Sequence, residues 1–218
     1  MIHICDNFFN DPYEVRRRSF DQDYQGRPSY PGVRSFSIDS NATSYIHSYV
    51  KYHTKDHKLE IGEGARFQYV TKEFGQGVYH RDDFKYICIV YLSLDAPPNS
   101  GTEVCDAGWM YDVEKLEPKN SGEILREFHQ NPSSNLIKRF KYDRLITTIN
   151  SHFKPIALAP NKFNSAVIFP ANSYHRAQNF FGTSIENSRL TLVCFLGKQP
   201  PQPDNLSYYQ KRGKVSFN

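Results

Sequence analysis

The segment KYICIVYLSL, residues 85–94, restricts the fold more than any other part of the chain. β-branched and aromatic residues dominate it and the turn-forming residues APPNSG follow it, which is the pattern of a buried strand. The segments FNSAVIFP (163–170) and SRLTLVCFLG (188–197) have the same character, as does the shorter FKPIALAP (153–160). With 16 Phe and 15 Tyr among 218 residues, the chain is predicted to fold as a β-rich globule.

Two further strands are predicted just before this segment. They are ARFQYVTKEF (65–74) and GVYHRDDF (77–84), with a turn at GQG between them. We expect these two and KYICIVYLSL to be consecutive antiparallel strands.

The N-terminal region is predicted to contribute helices and loops. Asp11 before Pro12 is a suitable N-cap for a short helix, since proline is favoured at the first helical position. The stretch DYQGRPSYPGVRSFS (23–37) is interrupted by Gly and Pro and is predicted to be a loop. A second helix is expected in NATSYIHSYVKYH (41–53), capped by Ser or Asn.

Two other regions differ in composition from the strands. Residues 112–150 are polar and are interpreted as an insertion that contains at least one helix. The Pro-rich tail, residues 199–218, is expected to begin as an irregular segment.

Composition excludes several classes of function. The net charge of +4 is too small for a dedicated nucleic-acid-binding protein. No run of 18 apolar residues is present, so a membrane-spanning helix is not expected. The four cysteines are widely spaced and no secretory signal opens the chain, which favours reduced thiols and a cytoplasmic location.

His80 and Asp82 are the first candidate metal ligands. Residues two apart on an extended chain project to the same side, so this pair can converge on one point. His175 follows a second apolar strand and supplies a third donor. Two imidazoles and one carboxylate form the facial triad of non-haem Fe(II) oxygenases, although Zn²⁺ accepts the same ligands.

Arg189 and Thr191 lie on one face of the apolar segment SRLTLVCFL. A buried guanidinium requires an anion, and its planar fork suits a carboxylate, which the Thr191 hydroxyl can share. The residues alone leave two different environments open for this arginine. Arg189 can pair with a buried acidic side chain, or it can lie at an exposed strand end.

The order of these residues resembles that of the Fe(II)/2-oxoglutarate-dependent oxygenases, in the branch that contains the prolyl 4-hydroxylases. The matching residues are His80, Asp82 and His175, followed by Arg189-Leu190-Thr191. Tyr91 matches a tyrosine that often donates to the cosubstrate in that branch. SGTEV (100–104) stands where the family has a Gly-Gly-x turn, with one Gly here.

The resemblance covers residues 65–198 apart from the insertion, and it implies a fold and a division of roles. The fold would be mainly β with flanking helices, a double-stranded β-helix of the jelly-roll or cupin-like type. One domain would span residues 1–218, with residues 1–64 as N-terminal support for the barrel. Fe(II) would be held by the three metal ligands, and 2-oxoglutarate would be bound by Arg189, Thr191, Tyr91 and Tyr69.

The implied reaction is hydroxylation of an unactivated C–H bond, with O2 as oxidant, succinate and CO2 as products of the cosubstrate, and ascorbate as a supporting reductant. A prolyl or other peptidyl residue is the expected substrate, with a small molecule as the other option. Halogenation is disfavoured because Asp82 fills the position that a halide needs. A zinc-dependent hydrolase with the same triad and a non-catalytic cupin-like metal-binding barrel remain as alternatives.

Overall fold

A computed structural model describes residues 1–105, 120–132 and 135–198. The predicted irregular tail, residues 199–218, and the first part of the predicted insertion, residues 112–119, lie outside the described residues. No helix in the described ranges combines the length and the apolar character that a bilayer crossing requires.

The described chain contains four α-helices and ten strands. The helices are α1 Pro12–Phe20, α2 Ser40–Thr54, α3 Ser121–Gln130 and α4 Leu136–Asn150, with a 3₁₀ turn at Lys72–Phe74. The strands are β1 His3–Cys5, β2 Tyr24–Arg27, β3 Tyr30–Ser35, β4 Ile61–Val70, β5 Phe84–Tyr91, β6 Thr102–Val104, β7 Ala157–Ala159, β8 Ala166–Pro170, β9 His175–Ala177 and β10 Arg189–Lys198.

The strands form two antiparallel sheets that pack face to face. The major sheet has the order β1-β8-β5-β10-β4-β3-β2, and the minor sheet has the order β7-β6-β9. Side chains such as Ile89, Phe169 and Val193 from the major sheet pack with Val104 and Ala159 from the minor sheet. This arrangement is the double-stranded β-helix that the sequence predicted, mainly β with flanking helices.

The strand order corrects one expectation. β4 and β5 are close in sequence but do not pair, because β10 lies between them and is hydrogen-bonded to both. The predicted strand at residues 77–84 is also absent, and its one ladder contact is an isolated bridge between His80 and His175. Pairing over a long sequence separation therefore overrides the local pattern.

The two faces of the major sheet pack against different partners. On the outer face, Leu190 and Leu192 of β10 belong to one apolar cluster with Ile46 and Val50 of α2 and Val15 of α1. The inner face of the same strand carries the alternate residues and faces the minor sheet. Burial on both faces explains why β10 reads as an almost continuous apolar run.

The N-terminal helices begin close to the predicted positions. The Asp11 carboxylate accepts a hydrogen bond from the backbone N–H of Glu14 (3.0 Å), so the predicted cap of α1 is confirmed. For α2 the cap is Asp39, which accepts from the N–H of Ala42 (2.9 Å), rather than the expected Ser or Asn. A Lys55 in the left-handed region ends that helix.

The stretch predicted as a loop at residues 23–37 contains a β-hairpin instead. β2 and β3 pair with each other, and β3 extends the major sheet by pairing with β4. Gly32 has φ +73°, and a Cβ there would lie 2.3 Å from the carbonyl oxygen of Tyr69. The glycine that suggested a loop is therefore what allows the hairpin to approach β4 so closely.

The predicted insertion contains two helices in its described part, where at least one was expected. α3 and α4 pack together through Leu125, Phe128 and Tyr142. The same cluster includes Val78 and Tyr79, the residues just before His80. The helices thus support the segment that carries the first candidate metal ligands.

Candidate metal centre and anion pocket

A short antiparallel bridge brings two candidate ligands together from distant parts of the chain. The N–H of His80 donates to the carbonyl of His175 (3.1 Å), and the N–H of His175 donates back to His80 (2.9 Å). Residues paired in this way project to the same side, and the imidazole centroids are 4.3 Å apart. The N–H of Asp82 donates to the carbonyl of Ala171 (2.9 Å), which fixes the third ligand beside them.

The three side chains point one donor atom each at a common position. The Oδ2 atom of Asp82 lies 3.2 Å from Nε2 of His175 and 3.7 Å from Nε2 of His80. Each Nδ1 faces a backbone carbonyl instead, Val78 O at 2.9 Å for His80 and Ser173 O at 3.0 Å for His175. Because a carbonyl only accepts, each Nδ1 carries the proton and each Nε2 offers its lone pair.

The electrostatics keep His80 and Asp82 in their metal-binding forms. Burial, together with the neighbouring imidazole of His175, lowers the pKa of His80 to about 4, so this imidazole is neutral near pH 7. Burial alone would raise the pKa of Asp82, but the adjacent imidazoles of His175 and His80 and the positive charge of Arg34 hold it at about 2. A neutral imidazole and an ionised carboxylate are the states in which both groups coordinate cations.

The donor set fits a divalent metal ion. Among the described residues, His80, Asp82 and His175 are the group of three or more potential ligands whose donor atoms lie within 4.8 Å of one another. Three ligands on one side leave open positions on an octahedral ion, which is the arrangement of a catalytic rather than a structural site.

A partly buried carboxylate, Glu103 of β6, connects the two ligand-bearing segments. It accepts hydrogen bonds from Tyr79 Oη (2.6 Å), Arg176 Nε (2.6 Å) and Gln178 Nε2 (3.0 Å). Tyr79 precedes His80 and Arg176 follows His175, so Glu103 holds both segments at a fixed separation. Sequence reasoning missed these residues, although the adjacency of Tyr79 and Arg176 to the ligands was a usable signal.

A cavity of about 380 Å³ opens on this centre, and its lining includes the three candidate ligands and Arg189 of β10. Arg189 is only 4% exposed. Its Nε donates to Ser100 O (3.2 Å) and its Nη2 to Thr102 Oγ1 (3.1 Å). In the part of the chain that the structure describes, no carboxylate lies within ion-pair distance of Arg189.

This environment decides between the possibilities that the sequence left open for Arg189. The residue is neither at an exposed strand end nor paired with a described acidic side chain. Burial lowers the pKa of its guanidinium, which is the direction expected for a cation that no described anion compensates. The cavity therefore contains a fixed positive charge that an anion from outside the described residues would stabilise.

Tyr91 and Thr191 lie beside Arg189 on the inner face, where they are register partners on β5 and β10. The Tyr91 hydroxyl donates to Thr102 Oγ1 (2.7 Å), and the Thr191 hydroxyl donates to Gln68 O (3.3 Å). Burial raises the pKa of Tyr91. Both hydroxyl protons are thus used within the protein, and Tyr91 acts on the pocket through Thr102 and Arg189.

The segment SGTEV provides two partners of Arg189, the carbonyl of Ser100 and the hydroxyl of Thr102. A Cβ at Gly101 would lie 2.1 Å from the carbonyl oxygen of Ala159. One glycine is therefore sufficient for this turn to pass close to β7.

Tyr69 does not join the pocket. It lies on the outer face of β4, where its ring contacts Tyr24 edge-on at 5.0 Å, and it packs against the helix-facing core. Its neighbour Gln68 takes the cavity-facing position instead. The expectation that Tyr69 touches the cosubstrate is corrected by this alternation of side chains along the strand.

Comparison with known proteins supports the fold. No family model and no curated protein matches the sequence. Solved structures do match: HygX from Streptomyces hygroscopicus with nickel and 2-oxoglutarate bound has a TM-score of 0.52 at 11% identity, over 90% of this chain and 82% of that one. The chain has the fold of a 2-oxoglutarate oxygenase.

Two further structures support the same conclusion. The non-haem α-ketoglutarate-dependent epimerase SnoN from nogalamycin biosynthesis has a TM-score of 0.54 at 11% identity, over 94% of this chain and 85% of that one. A Trichoplax adhaerens prolyl hydroxylase, in complex with a peptide of hypoxia inducible factor, has a TM-score of 0.52 at 9% identity, over 90% and 83% of the two chains.

Proposed function

We propose that the chain is an Fe(II)- and 2-oxoglutarate-dependent dioxygenase that hydroxylates an unactivated C–H bond. The observation that carries the proposal is Arg189, a buried cation without a described acidic partner, in the same cavity as the His-Asp-His group. A dicarboxylic ketoacid has one end that suits a metal and another that suits a guanidinium. Both partners are present in this cavity.

The residues have separate roles in this proposal. His80, Asp82 and His175 would hold the iron, which supplies with 2-oxoglutarate and O2 the oxidant that inserts oxygen into the C–H bond. Arg189 binds the distal carboxylate of the cosubstrate, and Thr102 holds the guanidinium in place. Ile89 and Val193 line the cavity with apolar surface and keep water from the reacting groups. Ascorbate is proposed as a supporting reductant.

The alternative of a zinc-dependent hydrolase is less favoured. The same three ligands would suit Zn²⁺, but that reaction gives Arg189 no task, and the cost of its burial would have no counterpart in function. A non-catalytic metal-binding barrel leaves the same residue without a role.

A prolyl or other peptidyl residue is the proposed substrate, in line with the similarity to a prolyl hydroxylase in complex with a peptide. Fold similarity does not favour a peptidyl substrate over a small molecule, because HygX with hygromycin B bound has the same TM-score of 0.52. Fold similarity at this level identifies chemistry less well than the side chains of the cavity do.

Anaerobic titration tests the proposal. Fe(II) and 2-oxoglutarate added together should give a weak visible charge-transfer band that neither gives alone. The band should disappear in Asp82→Ala, while Asp83→Ala, which removes the neighbouring carboxylate, should retain it. Absence of the band from the parent protein at saturating cosubstrate would contradict the dioxygenase assignment and return the zinc and binding-barrel alternatives.

A further inference from the structure

A second arginine faces the cavity from the hairpin. Arg34 of β3 is the register partner of Gln68 on β4, and both line the cavity near the metal centre. Unlike Arg189, which is almost fully enclosed, Arg34 is partly exposed. It therefore lies on the side from which a substrate would enter.

The guanidinium of Arg34 is held in one orientation. It stacks over the ring of Tyr30, 4.1 Å from the centroid, and lies 5.2 Å from the centroid of Phe195. Its Nε donates to Gln68 Oε1 (3.2 Å), and Gln68 is itself held by a bond from Nε2 to Pro31 O (3.1 Å). This support fixes the plane of the guanidinium before any ligand arrives.

The two Nη atoms of Arg34 make no hydrogen bond within the described part of the protein. No described carboxylate lies within 4.0 Å of the guanidinium. Two parallel donors at a fixed angle match the two oxygens of one carboxylate.

The charges around Arg34 also leave its positive charge uncompensated once a metal ion is bound at the centre. Burial lowers its pKa, while Asp82 and Glu63 act in the opposite direction and Arg66 adds to the lowering. Asp82 is a candidate metal ligand, so a bound cation would cancel its effect. Glu63 is exposed, and water screens its interaction.

We propose that Arg34 binds a carboxylate of the primary substrate, so that the substrate is a carboxylate-bearing molecule positioned beside the metal centre. This inference rests on the proposed function and adds the substrate class to it. A peptide qualifies when an acidic side chain or its C-terminus reaches Arg34. A phosphate dianion fits less well, because the partly buried Asp83 also lines the cavity and repels a second negative charge.

The experiment uses the full chain loaded with Mn(II) and saturating 2-oxoglutarate, so that the metal and Arg189 are already occupied. Benzoate, benzamide and phenyl phosphate are the probes, and the line broadening of their aromatic protons by Mn(II) reports binding near the metal. Benzoate should show saturable broadening, and benzamide, with the same ring and no charge, should bind about tenfold or more weakly.

Variants assign the effect to Arg34. Arg34→Gln should weaken benzoate binding about 10- to 100-fold. Arg81→Gln, the matched control, removes a cavity-lining arginine whose guanidinium stacks over Tyr174 at 4.7 Å, and it should leave benzoate binding unchanged. Arg34→Lys keeps the charge without the fork and should give an intermediate affinity, so it also serves if Arg34→Gln does not fold.

Calorimetry of 2-oxoglutarate binding separates this inference from the proposed function. The Arg34 variants should bind 2-oxoglutarate as the parent does. Suppose that the parent binds 2-oxoglutarate normally but benzoate shows no broadening, or that the Arg34 and Arg81 variants lose benzoate affinity equally. Either result would overturn this inference and leave the proposed function standing. Tighter binding of phenyl phosphate than of benzoate would overturn the carboxylate class. A parent that does not bind 2-oxoglutarate would overturn the proposed function, and the inference with it.

Discussion

The two faces of β10 show how one strand serves both stability and binding. On the outer face, Leu190, Leu192, Cys194 and Leu196 are fully buried against the helices. On the inner face, Arg189 and Thr191 come first, and the apolar Val193 and Phe195 follow. The buried polar groups of β10 are thus confined to one face and to one end of the strand. Buried polarity that is localised in this way indicates a binding site rather than a defect of the core.

The largest effect on activity is expected from substitution of the candidate metal ligands, which tests whether the metal centre is dispensable for folding. His80→Ala, Asp82→Ala and His175→Ala should each abolish succinate formation while leaving thermal melting nearly unchanged, because each removes one of three protein ligands. Removing a residue that hydrogen-bonds to a metal ligand lowers metal affinity or activity about 10- to 100-fold, and removing a ligand itself should lower them more. Near-parental succinate formation in any variant would remove that residue from the triad.

Arg189→Met tests the inner face of β10 directly. It should raise the KM for 2-oxoglutarate about 30-fold to several thousand-fold, because losing one side of a desolvated charge pair costs about 2–5 kcal/mol. Metal affinity should barely change. Calorimetry with Mn(II) measures the affinities for the metal and for 2-oxoglutarate, and parental affinity for 2-oxoglutarate would contradict the role assigned to Arg189.

Leu192→Ala tests the outer face of the same strand. The free energy of unfolding should fall by about 2–5 kcal/mol, since Leu192 is 0% exposed, whereas the KM for 2-oxoglutarate should not change. Leu94→Ala, at a leucine that is 48% exposed, is the matched control and should change stability by about 0.5 kcal/mol or less. If Leu192→Ala altered the KM as strongly as Arg189→Met, the two faces would not be independent.

The smallest effects are expected from the hydroxyls next to Arg189. Tyr91→Phe and Thr191→Val each delete a neutral hydrogen bond, worth about 0.5–1.5 kcal/mol, and should raise the KM for 2-oxoglutarate about 2- to 12-fold. Tyr69→Phe is the control on the outer face and should leave the KM at its parental value. If Tyr91→Phe raised the KM for 2-oxoglutarate more than Arg189→Met did, the assignment of Arg189 as the main carboxylate-binding residue would be wrong.

The local sequence pattern identified candidate ligands that the structure brings together, but it did not identify the order of the strands. The spacing of His80 and Asp82 is local, and local spacing sets which way two side chains point. The long apolar segments that became β5, β8 and β10 were also recognisable, because burial on both faces requires apolar residues throughout. What lay beyond the local pattern was the position of β10 between β4 and β5.

Two errors share a physical cause, which is that tertiary packing selects among local alternatives. Tyr69 and Gln68 are both compatible with an inward position, and only the register with β10 determines that Gln68 faces the cavity. The hairpin of β2 and β3 was hidden by Gly and Pro, which signal loops unless a close backbone approach requires them. Gly32 meets that requirement, but the neighbouring strand that creates it is not visible in the sequence.

The separate apolar cluster of α3 and α4 has a consequence for how such a protein can diverge. Leu125, Phe128 and Tyr142 pack apart from the residues that join the two sheets. Mutations in this layer away from Val78 and Tyr79, or in the hairpin that carries Arg34, therefore change the lining of the cavity at little risk to the strand that carries Arg189. Selection can change what the protein accepts while the chemistry it performs is inherited intact.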